Sequence, residues 1–168
     1  MHESPCTPRP RAVAQLQGRL CSLGALLLAL AGQAHAIEAR APDVDISALP
    51  AQHGEWREEN PYRGNPLAAE IGRAAFNQSC ASCHGADADG HAAPAPDLRR
   101  LGRSCARILD TDLRQRCTRD VDHYFRSSVQ KGKVKVGVVH MPAWEGVLAP
   151  EVVWAIRSFV ETRPPAKD

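Results

Sequence analysis

The stretch CASCHG, Cys80–Gly85, decides how the rest of the chain is read. Two thiols lie two residues apart, and an imidazole follows directly on the second. Such a triplet suits a redox dithiol, half of a zinc site, or an attachment point for a larger group. Its surroundings have to choose among the three.

Upstream, NPLAAEIGRAAFNQSC runs straight into it. Asn65 is suited to an N-cap and Pro66 to the first helical position, where a missing N–H costs nothing. Leu67, Ile71 and Ala75 follow at helical spacing, as do Gly72 and Phe76, so a helix delivers its C-terminus to Cys80. Downstream, GADADGHAAPAPDL is punctuated by glycine and proline and reads as loop. SCARILDTDLRQRC reads as two short helical turns. DVDHYFRSSVQKG is a stronger helix, with Val121, Tyr124, Phe125 and Val129 on one side and Gly132 as its stop. KVKVGVVHMPAWEGVL is loop or short extended structure broken by Pro142. The last helix, APEVVWAIRSFVETR, enters at Pro150 and is expected to bury Val152, Val153, Ile156, Phe159 and Val160. With no internal repeat and no strand-rich section, the fold class is all-α. Residues 37–64, rich in Pro, Asp, Glu and Asn, read as an extended N-terminal arm over a domain at 65–163, with a tail at 164–168. Trp56 and Trp154 are expected in the core.

The first 36 of the 168 residues are set apart. Arg9, Arg11 and Arg19 precede the apolar run CSLGALLLALAG, which is too short to span a bilayer comfortably. AHA, ending at Ala36, is a small-x-small cleavage site. Residues 1–36 therefore read as a signal peptide, giving an exported, periplasmic protein that begins near Ile37 and has no membrane span. The whole chain has 21 basic and 19 acidic residues; without Arg9, Arg11, Arg19 and Glu3 it has 18 of each. That balance excludes a typical nucleic-acid binder. The charge is nevertheless uneven: residues 37–98 hold four arginines and ten acids, residues 99–140 eleven basic residues and four acids. Cleavage would also remove Cys6 and Cys21. Cys80 and Cys83 belong to the motif, so Cys105 and Cys117 remain to pair as a disulfide in an oxidising compartment.

These surroundings bear on CASCH. A thioredoxin-like dithiol sits in a βαβ context, which an all-α chain lacks. A structural zinc needs four ligands, and Cys105 and Cys117 lack the spacing of a metal knuckle. Covalent haem attachment fits: Cys80 and Cys83 add across the two vinyl groups, and His84 becomes the proximal iron ligand. The expected cofactor is one covalent haem c. Met141, the single methionine after the leader, lies in the Pro-broken loop ahead of the last helix and is the candidate distal ligand. A thioether there raises the potential and closes the iron to outside ligands, which means electron transfer rather than peroxide chemistry. His140, His91 and His123 are the rivals. A labile Met141 would instead suit a peroxidase-like haem enzyme or a ligand sensor.

The segments GRAAFNQSCASCHG, APDL and MPAWEGVLAPEVVWAIRSFVET resemble, in order and spacing, the class I cytochromes c. The resemblance implies three to five helices around one haem. It also implies that Gly72 and Phe76 cross the last helix near Phe159, and that the Pro96 carbonyl accepts the His84 Nδ1 proton. Leu98 completes the family's Pro-x-Leu and is expected to pack on the haem, as is Trp144 at the haem edge. EWREENPYRGNP, the insert holding Cys105 and Cys117, and VDHYF…KGKV further resemble the PedF-type cytochromes c of quinoprotein ethanol oxidation. That implies a monomeric, non-enzymatic one-electron carrier. Its donor would be a PQQ-dependent alcohol dehydrogenase, its acceptor a terminal oxidase or another cytochrome. A donor to another periplasmic reductase would carry much the same pattern.

Overall fold

The computed structural model describes residues 38–90 and 95–164. The expected signal peptide, His91 and residues 165–168 of the expected tail lie outside the described residues. Among the described residues, four α-helices follow in order: α1 at Pro66–Ser79, α2 at Ala81–His84, α3 at Thr111–Lys131 and α4 at Pro150–Thr162. Between α3 and α4 lies an antiparallel hairpin of β1, Lys133–Lys135, and β2, Val138–Met141. Short 3₁₀ turns occupy Ala86–Ala88, Leu98–Arg100 and Cys105–Arg107. The molecule is mainly helical, with the hairpin the small exception.

α1 starts where the sequence places it. The Asn65 side chain accepts from the backbone N–H groups of Leu67 and Ala68, and Pro66 occupies the first turn. Its buried face is Ala68, Gly72, Ala75 and Phe76. Leu67, expected on that face, is 41 % exposed. The reason lies in how closely α1 crosses α4: a Cβ at Gly72 would sit 1.9 Å from the Ala155 carbonyl oxygen. Small residues occupy such a contact, which leaves the larger apolar ones at its edge. Beside it the Phe76 and Phe159 rings pack with centroids 5.5 Å apart. Burying each phenyl ring contributes about 2–3 kcal/mol.

α4 buries Val152, Val153, Ile156, Phe159 and Val160 as expected, but it is enclosed all round. One side joins the main cluster with Phe76, Phe125, Val129, Trp144 and Leu148. The other side, with Trp154 and Ala155, is covered by Leu49 and Tyr62 of the N-terminal segment. That segment, residues 38–64, contains neither helix nor strand. Trp56 is half-buried against the main cluster, and Trp154 is fully buried.

α3 departs from expectation. It is one helix of 21 residues rather than separate turns followed by a helix. Asp110 caps it by accepting from Leu113 N, and Asp112 in the first turn complements the helix dipole. Its buried residues are Asp122, Phe125 and Val129. Tyr124 falls off this stripe and is 57 % exposed, because a carboxylate holds the core-facing position. Asp122 accepts from Asn60 N, Arg157 Nε and Arg63 Nη2, joining the N-terminal segment, α3 and α4. A disulfide, Cys105–Cys117, ties the preceding turn to α3. Among the described residues, no helix is long and apolar enough to cross a membrane.

Candidate functional site

Cys80 caps α1, its N–H donating to Phe76 O, and begins the single turn of α2. Cys83 N and His84 N both donate to Cys80 O, at 3.2 and 3.0 Å. Both thiols are free and half-buried. Burial, and then the neighbouring Cys83, push the Cys80 thiol up to about 12. A redox dithiol needs the opposite, a lowered pKa that supplies thiolate. Zinc fares no better, since Cys105 and Cys117 are consumed by their disulfide. The described residues also contain no cluster of three or more His, Cys, Asp or Glu able to hold a metal.

The chain after His84 is held tightly. Gly85 has φ 81°, and a Cβ there would meet Asp89 Oδ1 at 1.9 Å. Asp87, itself at φ 53°, accepts from Arg73 Nε and Nη2, each at 2.7 Å, and from Asn77 Nδ2 at 2.9 Å. The motif loop is thereby anchored back onto α1. Further on, Asp97 caps the turn that starts at Leu98 and accepts from Arg99 N, Nε and Nη2. This places the Pro96 carbonyl oxygen 3.2 Å from His84 Nδ1. With Nδ1 as donor, Nε2 keeps its lone pair free for a metal. Burial lowers the His84 pKa, favouring that neutral ring, while the Pro96 bond acts the other way.

The methionine loop is set by α3. A Cβ at Gly132 would come within 2.4 Å of the Met141 carbonyl oxygen and 2.7 Å of Pro142 C. Only a glycine lets the end of α3 lie against this segment. Trp144 N and Glu145 N then donate to Val129 O and Gln130 O, clamping the loop to the last turn of the helix. Burial along β2 begins only at its last residue. His140 is exposed, whereas Met141 is half-buried and packs on the main cluster, as do Cys80, Ala81, Leu98 and Leu101. Trp144 is buried within that cluster. His123 is exposed on α3 beside Arg126. Residues from three separate stretches of sequence thus meet one apolar core. Gly132 was read only as a helix stop; its tight approach to Met141 needed the packed structure to become visible.

Residues 67–160 match the family model described as cytochrome c oxidase, cbb3-type, subunit III. The chain belongs to the cytochrome c family. Cytochrome c550 of Pseudomonas aeruginosa is similar to it, 38 % identical over 123 residues, covering 71 % of this chain and 74 % of that protein. No solved structure matches the chain. The family carries covalently bound haem c, and the donor set fits it: two unpaired thiols on one helical turn, next to an imidazole whose Nδ1 is engaged. The cytochrome is a monohaem c-type electron carrier by its family and its relative.

Proposed function

We propose that Cys80 and Cys83 would hold the haem through thioethers, that His84 and Met141 would bind its iron, and that the cytochrome serves as an exported carrier in alcohol oxidation. The observation that carries this reading is the packing of Met141 against the cluster shared with Cys80 and Leu98, while His140 is exposed. When bound, the haem would supply one-electron exchange between ferric and ferrous iron. The chain's own residues hold and screen it. The Pro96 carbonyl orients the His84 ring, and Leu98 and Trp144 contribute apolar surface that excludes water. The Gly132 contact and the backbone bonds of Trp144 and Glu145 hold the Met141 loop, so little rearrangement accompanies electron transfer. A thioether that stays in place closes the site to peroxide, which argues against enzymatic use.

The donor is proposed as a PQQ-dependent alcohol dehydrogenase of the periplasm and the acceptor as a terminal oxidase or another cytochrome. The resemblance of the arm, the disulfide insert and the α3 segment to PedF-type cytochromes supports this. Spectroscopy of the ferric holoprotein tests the ligation. Met141→Ala is expected to lose the weak far-red band of a sulfur–iron bond and to bind cyanide promptly. His140→Ala is expected to keep the band and to resist cyanide. If His140 were the ligand, the wild type would lack the band, and His140→Ala rather than Met141→Ala would bind cyanide promptly.

A further inference from the structure

A groove of about 350 Å³ opens between the loop at Leu101, Gly102 and Arg103, the first half of α3, and the C-terminal end of α4. Six guanidiniums line it, those of Arg63, Arg99, Arg103, Arg114, Arg157 and Arg163, against the single carboxylate of Glu161. Their charge is only partly offset. Asp97 pairs with Arg99, while Asp122 and Glu161 pair with Arg63 and Arg157. Arg103, Arg114 and Arg163 form none of the described ion pairs, although Arg114 donates to Ile108 O and Thr111 Oγ1 and Asp87 lies within electrostatic reach of Arg163.

A second observation points the same way. Arg157 is 2 % exposed, yet its Nη1 has no hydrogen-bond partner. The Nε of Arg163, whose guanidinium lies over the Phe159 ring, is likewise unpartnered and buried. Buried donors without an acceptor are costly, and charged ones the more so. Water would accept these hydrogen bonds but would leave the surplus positive charge in place. An anion does both.

We infer that this groove binds a small tetrahedral oxyanion of the phosphate class. Guanidinium forks match such an anion two bonds at a time. The disulfide gives the groove a fixed wall, since Cys105 lines it and is tied to α3 through Cys117. None of Cys80, Cys83, His84 or Met141 lines it, so the site is separate from the haem ligands and stands whether or not their proposed roles hold.

The test is a titration of the ferrous holoprotein with inorganic phosphate at constant ionic strength, chloride making up the difference. It is followed by NMR of the arginine Nε–H resonances and by the thermal midpoint. Saturable shifts confined to groove residues, with a rising midpoint, are expected. Arg103→Gln and Arg163→Gln should each weaken binding about tenfold or more and leave the visible spectrum unchanged. Arg103 is exposed, so its variant carries the test if the other does not assemble. Shifts that are linear, equal in the variants, or spread over all surface arginines would mean a water-filled groove and general screening, and would overturn the site.

Discussion

Position 72 admits no side chain. A Cβ there would lie 1.9 Å from Ala155 O and 2.8 Å from Ile156 N, both backbone atoms of α4. Gly72→Ala must therefore push the two helices apart, which costs about 1–3 kcal/mol or more. Chemical denaturation of the holoprotein reads that loss. Asp87 makes a different kind of prediction. The Arg73 guanidinium, then the Asn77 amide, hold its carboxyl well below the usual 3.8. A depressed folded pKa means stability present above 3.8 and lost as pH falls through the folded value. Asp87→Asn should be modestly less stable than wild type at neutral pH, and the gap should close on acidification. Thermal melts across acid pH follow it. The Asn65 cap and the CASCH triplet were legible because each is a local pattern, whereas the crossing of Gly72 and Phe76 with the last helix came only from the resemblance to class I cytochromes c. The Asp87 clamp was not legible, since nothing in GADADG says that Arg73 lies opposite.

At the scale of elements, α3 shows where sequence patterning runs out. Its first half, TDLRQRCTRD, has no apolar stripe, so periodicity is silent there even though Asp110 and Asp112 mark a helix start. The buried Asp122 then breaks the pattern again in favour of a pairing between residues 35 positions apart. The Asp122 side chain is fully buried with two arginines on it. Asp122→Ala leaves those two guanidiniums to share Glu161 alone and should cost about 3 kcal/mol, measured by denaturant unfolding. The disulfide was legible from the leftover cysteines. It closes a loop with a sequence separation of 12. Replacing both Cys105 and Cys117 by Ser should lower stability by about 3 kcal/mol while the haem spectrum persists, because neither residue is a proposed ligand.

Across the whole molecule the charge is distributed by segment rather than in excess. Residues 37–98 are acidic and residues 99–140 basic. Such an imbalance orients a charged partner during encounter and makes the association rate fall with salt. Carrier complexes are small and short-lived, so this steering matters more to them than affinity does. The partner was the part least legible in the sequence, because a docking face is a property of the assembled surface. The most direct test is stopped-flow reduction of the purified ferric cytochrome by ethanol and a PQQ-dependent alcohol dehydrogenase from the same organism, at low and high salt. The account predicts fast, saturable reduction that slows as salt rises. Absence of reduction, in a protein that dithionite still converts to a low-spin ferrous c-type spectrum, would contradict it.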